Sequence, residues 1–181
     1  MFIDYLDTPL GLFEFMATEQ GIYQAIFCGD RVNDKQSKQK TNHITALCKQ
    51  QLTEYFAGQR QVFTVPLVPK GTPFQQAVWA CLTQIPFGAI KSYGDIAKQL
   101  DKPKASQAVG GANGRNPITL IVPCHRVIGA NGSLTGYAGG IERKLWLLNH
   151  EGIELKKTDD NSHLDINNVI GKRQAKTQFL N

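Results

Sequence analysis

The side chains best suited to chemistry in this sequence are a cysteine and a histidine in succession, Cys124 and His125. A thiolate is a strong, soft nucleophile, but a free thiol has a pKa of about 8.5 and is only slightly ionised at neutral pH. A nucleophilic Cys124 therefore needs a nearby base. Adjacent side chains often point apart, so the sequence leaves His125 open between that role and a contact with phosphate or with the surface.

The apolar sequence Ile-Thr-Leu-Ile-Val at positions 118–122 leads into this pair. It predicts a short buried strand or extended segment. Pro123 has no backbone donor and ends any regular ladder, so we expect the thiol of Cys124 to be presented at a rigid turn. The alternative is an inert core thiol, because a lone cysteine in apolar surroundings is usually structural.

The composition predicts a soluble globular protein of one domain or two small ones, with 181 residues of which 41% are hydrophobic. No apolar run approaches the roughly 18 to 20 residues that span a bilayer. Residues 1–11 carry two aspartates and no basic residue, unlike a signal peptide. We expect a cytoplasmic monomer with no membrane partner. Residues 156–181 are polar and predict a mobile tail.

The four cysteines are scattered, with no Cys-x-x-Cys pair among them. This spacing argues against a zinc ribbon and against a thioredoxin-type redox couple, and it suits a reducing compartment. Cys28 and His43 have no third or fourth ligand nearby in the sequence, so structural roles are favoured for both and no metal site is predicted.

Positive charge is concentrated in one part of the chain. The formal charge is +5 and the isoelectric point is near 9.0, although many basic proteins bind no polyanion. Residues 91–115 hold five basic residues against two acidic ones. Such clustering suits contacts with phosphate.

Residues 1–66 predict a small α/β domain. Three β-prone runs separated by turn residues indicate a three-stranded antiparallel sheet, at positions 2–6, 12–17 and 22–27. Apolar residues then recur at helical spacing from Ile44 to Phe56, with Gly58 as the stop. Residues 61–66 indicate one more short strand, and nothing in this domain looks catalytic.

Residues 67–155 predict a second, mostly helical domain. Thr72 and Gln75 form a capping box around a proline, which predicts a helix start. Ser92 and Asp95 have the same spacing and predict a second helix.

A third helix is predicted at 104–113, after a tight turn at 101–103. Two short helices joined by such a turn are typical of a helix-turn-helix, although packed helical hairpins without a DNA partner are also common. The third helix is rich in alanine and glycine, which weakens it but lets its backbone approach a neighbouring surface closely. This composition favours nucleic acid as the partner.

The chain after Cys124 is rich in glycine. Residues 129–132 predict a hairpin turn, and residues 136–140 predict a flexible loop. That loop lacks the lysine and hydroxyl residue of a P-loop, so we interpret it as a wall of a pocket. A helix at 141–150 is expected to close the core through Leu145, Trp146 and Leu148.

Three motifs carry a resemblance to a known family: Pro-Cys-His-Arg-Val at 123–127, Gly-Tyr-Ala-Gly-Gly at 136–140 and Trp-Leu-Leu-Asn-His-Glu-Gly at 146–152. With them the chain resembles the O6-alkylguanine-DNA alkyltransferases, also called methylated-DNA-protein-cysteine methyltransferases, and most closely their bacterial stand-alone type. The resemblance spans residues 71–152, whereas residues 1–66 match only in the plan of strands followed by a helix.

The resemblance implies a winged helix-turn-helix C-terminal domain behind an RNase-H-like N-terminal one. It also implies DNA repair by direct reversal in double- or single-stranded DNA. The alkyl group of an O6-alkylguanine, with O4-alkylthymine as a further candidate, would pass irreversibly to Cys124 after base flipping. Each molecule would act once and without a cofactor, at the nucleoid if the protein is bacterial.

The same resemblance implies roles for individual residues. Cys124 is the nucleophile, His125 takes its proton through a bound water, and Glu151 polarises His125. Tyr93 matches the phenol that hydrogen-bonds the flipped guanine. Asn116 matches the hinge asparagine that ties the recognition helix to the active-site segment.

Eight residues are expected to contact the DNA or the flipped base: Tyr93, Lys104, Gln107, Ala108, Arg115, Val127, Tyr137 and Ala138. Gln107 departs from the family, most members of which carry there an arginine that fills the space of the extruded base. Since glutamine is shorter and uncharged, slower repair of duplex DNA is predicted. Arg126 is expected to be structural or to face phosphate, and His150 to lie on a helix surface.

Two other classes of function remain open. A non-catalytic module that binds alkylated DNA, of the alkyltransferase-like type, would lack the reactive cysteine, and Cys124 is present. A cysteine-histidine hydrolase would need an orienting Asn or Asp and an oxyanion motif, and the sequence offers no convincing one.

Overall fold

The structure is a computed structural model, and it describes residues 1–29, 39–134 and 137–153. The predicted tail at 156–181 and Gly136 of the predicted glycine loop lie outside these described residues. The chain divides into an N-terminal domain built on an antiparallel sheet and a helical C-terminal domain. Within the described ranges, no helix is long and apolar enough to cross a membrane.

Three consecutive strands form the N-terminal sheet in the order β1-β2-β3: β1 (Phe2–Thr8), β2 (Gly11–Ala17) and β3 (Ile22–Phe27). Both pairings are antiparallel, with Tyr5 opposite Glu14 and Phe15 opposite Ala25. The predicted three-stranded sheet is therefore confirmed. The side chains of Phe15 and Ala25 are fully buried, so this face of the sheet forms the core.

Helix α1 (His43–Phe56) packs on this sheet. It starts at a capping box in which the side chain of Asn42 accepts from the Thr45 backbone at 3.0 Å and the Thr45 hydroxyl accepts from the Asn42 backbone at 2.9 Å. It ends before Gly58, whose φ of 74° suits glycine. The helix predicted from Ile44 to Phe56 is thus confirmed.

The strand predicted at 61–66 is wrong. The side chain of Gln51 occupies the backbone donors of this segment, since its Oε1 accepts from Thr64 N at 2.9 Å and from Val65 N at 3.2 Å. These donors are therefore not available to a neighbouring strand. Pairing of this stretch with the sheet is limited to an isolated bridge at Leu67, where Pro66 O accepts from Ile22 N and Val68 N donates to Ile22 O, both at 2.8 Å.

Three short helices form the first part of the C-terminal domain: α2 (Pro73–Thr83), α3 (Tyr93–Gln99) and α4 (Ser106–Gly114). Both predicted capping boxes are present, one between Thr72 and Gln75 and one between Ser92 and Asp95. Each box satisfies backbone donors that would otherwise lack a partner at the helix start. The sequence therefore predicts both starts correctly.

Helix α4 begins at Ser106, later than the predicted start at 104. A turn closed by Ala105 N donating to Lys102 O at 2.8 Å takes up the intervening residues. The helix is attached to α2 by the indole of Trp79, which donates to Ala112 O at 2.9 Å. The small residues of α4 let these two helices approach closely.

Residues 118–122 are buried but do not form a continuous strand. Only the start of the segment pairs, in parallel with β3: Ala25 N donates to Pro117 O and Thr119 N donates to Ala25 O, both at 2.8 Å. The chain then turns at Leu120, whose φ is 73°. This pairing joins the C-terminal domain to the edge of the N-terminal sheet.

A two-stranded parallel sheet and a last helix complete the described chain: β4 (Lys91–Ser92), β5 (Val127–Ile128) and α5 (Ile141–His150). Helix α5 buries Leu148 as predicted, but Leu145 and Trp146 are only partly buried. The remaining inward positions of α5 are those of Leu147 and Lys144, both fully buried.

Candidate active site

Cys124 lies at the start of a 3-10 turn, Cys124–Arg126, directly after Pro123. Its side chain is almost enclosed, with 3% of the residue exposed. Asn116 fixes the segment that leads to it, because its Nδ2 donates to Val122 O at 2.8 Å and its Oδ1 accepts from Ile118 N at 3.0 Å. These bonds are compatible with the hinge role of Asn116, which stays a prediction.

The environment of Cys124 favours the neutral thiol at rest. Burial raises the pKa of Cys124, and this effect outweighs a hydrogen bond from Asn116 and the positive charge of Lys144, which both favour the thiolate. A thiol in this position therefore needs a base that removes its proton at the time of reaction.

The neighbouring base candidate, His125, is bound to a carboxylate. Its Nε2 lies 2.7 Å from Glu151 Oε1, and both side chains are fully buried. Burial opposes ionisation of Glu151, but the hydrogen bonds and charges of His125 and Arg126 outweigh it and lower the pKa of Glu151 to about 2. Glu151 is thus an acceptor at neutral pH, and Nε2 of His125 carries the donated proton.

The other ring nitrogen of His125 is therefore free to accept. Burial lowers the pKa of His125, so the imidazole is neutral at neutral pH. Its Nδ1 has no hydrogen-bond partner among the residues that the structure describes. A neutral histidine with Nε2 protonated and Nδ1 unprotonated is the tautomer that a general base requires.

Two tyrosines interact electrostatically with Cys124. The pKa of Tyr93 is raised to about 12 by burial and by the negative charge that Cys124 carries when ionised. The pKa of Tyr137 is raised for the same two reasons, and its buried hydroxyl has no partner within the described part of the chain. Both phenols therefore stay protonated and can donate a hydrogen bond to a bound base.

The DNA-contacting residues predicted on α4 face outward. Gln107 and Ala108 are exposed in its first turn. With Arg115 and Phe74 they line an open cleft of about 540 Å³ between α2 and α4. Lys104 is exposed just before the helix. The structure thus separates the buried Cys124 and His125 from the exposed residues that are predicted to contact DNA.

Comparisons with known proteins agree with this arrangement. Residues 1–69 match the family model of the 6-O-methylguanine DNA methyltransferase ribonuclease-like domain, and residues 73–153 match that of the DNA-binding domain. The constitutive methylated-DNA–protein-cysteine methyltransferase of Bacillus subtilis is 49% identical over 158 residues, which cover 83% of this chain and 95% of that protein. This chain belongs to the 6-O-methylguanine DNA methyltransferase family.

Other relatives span a similar share of the chain. A methylated-DNA–protein-cysteine methyltransferase of Methanosarcina acetivorans is 44% identical over 154 residues, covering 84% of this chain and 99% of that protein. A solved structure of Mycobacterium tuberculosis OGT in complex with DNA is similar with a TM-score of 0.75 and 42% identity, covering 83% of this chain and 92% of that one. The similarity to the methyltransferase family therefore includes both domains.

Arg126 corrects one alternative left by the sequence. It does not face phosphate, because its guanidinium is buried and donates to Glu151 Oε2 at 2.8 Å, to Glu151 Oε1 at 3.0 Å and to Ile85 O at 2.6 Å. Of the two roles expected for Arg126, the structure therefore agrees with the structural one.

His150 is partly buried. Its Nε2 donates to Tyr55 O at 2.7 Å, and its ring stacks on Trp146.

Lys144 is a residue of this methyltransferase site that the sequence analysis missed. It is fully buried, its Nζ donates to Val127 O at 2.6 Å, and burial lowers its pKa to about 8 against an opposing effect of Cys124. A signal was present: Lys144 lies three and four residues before Leu147 and Leu148, on the apolar stripe of α5. A lysine on such a stripe indicates a buried charge with a specific partner.

The remaining predicted contacts are dispersed. Val127 is buried, and its carbonyl is engaged by Lys144. Ala138 is exposed and lines a cavity of about 410 Å³ beside β3 with Thr119 and Arg143. In the described ranges, no three His, Cys, Asp or Glu side chains gather closely enough to hold a metal ion.

Proposed function

We propose that this chain repairs alkylated DNA by transferring the alkyl group of an O6-alkylguanine to its own Cys124. The observation that carries the proposal is the buried hydrogen bond from His125, the residue that follows Cys124, to an ionised Glu151, which leaves Nδ1 of His125 without a partner among the described residues. Membership of the methyltransferase family supports the same reaction. The roles predicted for Tyr93 and Asn116 fit this centre, since both residues interact with Cys124.

The first step is removal of the thiol proton. Nδ1 of His125 accepts it, by the family mechanism through an intervening water, and the ring becomes an imidazolium. The carboxylate of Glu151, 2.7 Å from Nε2, stabilises that positive charge. Arg126 keeps Glu151 ionised while this happens, since it binds both carboxylate oxygens.

The second step is displacement at the alkyl carbon. A bond forms from Sγ of Cys124 to that carbon while the bond from the carbon to guanine O6 breaks, and the electron pair stays on the base. Tyr93 is placed to donate a hydrogen bond to the departing guanine, and the proton first taken from the thiol restores the neutral base. The thioether left on sulfur has no leaving group, so each molecule reacts once.

Access to the base requires that it leave the duplex. We infer that α3 and α4 form the helix-turn-helix of a winged domain and that α4 enters a groove of the DNA. Residues 91–115, which include both helices, hold the basic cluster that suits phosphate contacts. Tyr137, Val127 and Ala138 would then surround the extruded base.

The domain plan belongs to the same proposal. We place an RNase-H-like domain at 1–66 and the reacting domain at 67–155, acting together as a monomer in the cytoplasm on double- or single-stranded DNA. The chain leaves the N-terminal sheet after Val68, whose N donates to Ile22 O at 2.8 Å, and this lies close to the proposed boundary. O4-alkylthymine offers an alkyl group on a similarly placed ring oxygen and is a second candidate substrate.

Transfer of an isotopically labelled methyl group tests the proposal. The protein is incubated with a duplex that carries labelled O6-methylguanine, and the modified peptide is identified by mass spectrometry. We expect one label per molecule, on Cys124, and none in a Cys124→Ala variant that still binds the duplex. Cys81→Ala removes another buried thiol and serves as the control that keeps transfer. Label on a different residue, or retention of DNA without any transfer, would contradict the proposal.

A further inference from the structure

Tyr55 of α1 links the N-terminal domain to the reaction centre. Its hydroxyl donates to Glu151 Oε1 at 2.8 Å, and its backbone carbonyl accepts from His150 Nε2 at 2.7 Å. Two consecutive residues at the end of α5 are therefore held by a single tyrosine of the other domain. Nothing in the sequence distinguishes Tyr55 from an ordinary core aromatic on the apolar face of α1.

The ring of Tyr55 is fixed from several sides. It is fully buried, and its centroid lies 5.4 Å from that of Phe56, 5.5 Å from that of Phe63 and 6.2 Å from that of Phe87. Such packing leaves the ring little freedom, so the direction of the hydroxyl is set. A phenylalanine would fill the same space, and the hydroxyl must therefore be explained by its partner, Glu151.

The carboxylate of Glu151 is shared among three donors. Oε1 accepts from Tyr55 at 2.8 Å, from His125 at 2.7 Å and from Arg126 at 3.0 Å, while Oε2 accepts from Arg126 at 2.8 Å. The charge of this carboxylate also contributes to raising the pKa of Tyr137, and the positive charge of Lys144 contributes to lowering that of His125. Tyr55 is the only one of these groups that belongs to the N-terminal domain.

We propose that Tyr55 is a positioning residue for alkyl transfer: its hydroxyl orients the carboxylate of Glu151 and takes part of its negative charge, so that His125 stays an unprotonated base. The proposal rests on the proposed function, because it assigns Tyr55 a role in that reaction. It makes the N-terminal domain a part of the chemistry, in addition to its part in the fold.

The consequence of removing the hydroxyl has a definite sign. Arg126 still binds both oxygens of Glu151, so the carboxylate stays in place. Without the phenol, more negative charge rests on Oε1, and Glu151 attracts the proton of His125 more strongly. The imidazolium is then favoured at a higher pH than in the wild type, and the base is lost earlier as the pH falls.

The test is the pH dependence of single-turnover methyl transfer in Tyr55→Phe. We expect the acid limb of the rate profile to move to higher pH by about one unit, so that the variant is about 10-fold slower at pH values well below the pKa of His125 and close to the wild type near pH 8.5. Affinity for the duplex should be unchanged. The matched control is Tyr5→Phe, which removes the hydroxyl of another buried tyrosine of the same domain, hydrogen-bonded to Glu14.

Other outcomes separate this inference from its alternatives. If the wild type transfers no methyl group, the proposed function fails first. If the wild type transfers and Tyr55→Phe has the same profile, or is slowed equally at every pH, the positioning role is wrong. A second variant tests whether Tyr55 acts through Glu151. In a Glu151→Gln background, Tyr55→Phe should cause no further slowing, and an undiminished effect there would overturn the inference.

Discussion

Arg126 binds both carboxylate oxygens of Glu151, with Nε 2.8 Å from Oε2 and Nη2 3.0 Å from Oε1. The side chains are 7% and 0% exposed. A buried bidentate pair of this kind constrains both partners, because either charge left alone in the interior is strongly unfavourable. The pair also joins the turn that carries Cys124 to the end of α5.

Replacing Arg126 with methionine is expected to destabilise the fold by about 3 to 5 kcal/mol, since Glu151 would keep its charge without the main compensating cation. Urea denaturation followed by circular dichroism measures this loss. Arg60→Met is the control: Arg60 pairs with Glu54 where both side chains keep about a quarter of their surface exposed, and loss of a solvent-screened pair should cost much less. Equal losses of unfolding free energy in the two variants would show that burial does not make the Arg126–Glu151 pair more important for stability than the Arg60–Glu54 pair.

The lowered pKa of Glu151 predicts that the folded chain loses stability in acid. This pKa is lowered from 4.5 to about 2 in the folded chain, so the unfolded chain binds the proton first as the pH falls. The stabilisation is fully present above about pH 5 and is lost progressively towards pH 2, by about 3 kcal/mol in all. Urea denaturation at several pH values should show this loss in the wild type and much less of it in Glu151→Gln. Identical pH dependence in the two proteins would contradict the assignment.

Lys144 is expected to increase the reactivity of Cys124. Its positive charge favours the thiolate, so Lys144→Met should raise the pKa of the thiol by about one unit and slow its alkylation at neutral pH about 10-fold. The measurement is the rate at which iodoacetamide modifies the peptide that contains Cys124, as a function of pH. Lys49→Met, which removes a partly exposed lysine paired with Asp4, is the control and should leave that rate unchanged.

Local signals in the sequence predicted most of the secondary structure. The boxes at Thr72 and Ser92 fix helix starts through contacts within one turn, and both are present. The prediction of a short strand at 61–66 was wrong for a non-local reason, because the side chain of Gln51 accepts hydrogen bonds from backbone N–H groups of that segment. The turn at Leu120 was missed in the same way, since a left-handed leucine is held there by its buried surroundings.

The same difference between local signals and non-local contacts applies to the candidate site. Cys124 and His125 are neighbours in sequence, and the motif around them pointed to the chemistry. The roles of Tyr55 and Lys144 depend on contacts across 96 and 17 residues of chain, to Glu151 and to Val127. Spacing along a helix places such side chains on an inward face, but it does not identify the group that they meet.

Gln107 gives the last prediction. It is exposed in the first turn of α4 and lines the cleft between α2 and α4, at the position where most members of the family carry an arginine. Arginine is longer, charged and offers five donors where glutamine offers two, so it should hold the extrahelical state of a duplex better. Gln107→Arg is therefore expected to speed methyl transfer from duplex DNA about 10-fold while changing transfer from a single strand less than about 2-fold.

The control for Gln107→Arg must add the same charge elsewhere. Gln50→Arg does so on the exposed face of α1, in the N-terminal domain. If that variant also accelerates duplex repair, general attraction of DNA explains the gain, because added positive charge strengthens binding to any phosphate backbone. If Gln107→Arg leaves the ratio of duplex to single-strand rates unchanged, residue 107 does not support the extruded base. A rise in that ratio for Gln107→Arg, and not for Gln50→Arg, shows that residue 107 of α4 occupies the space of the extruded base.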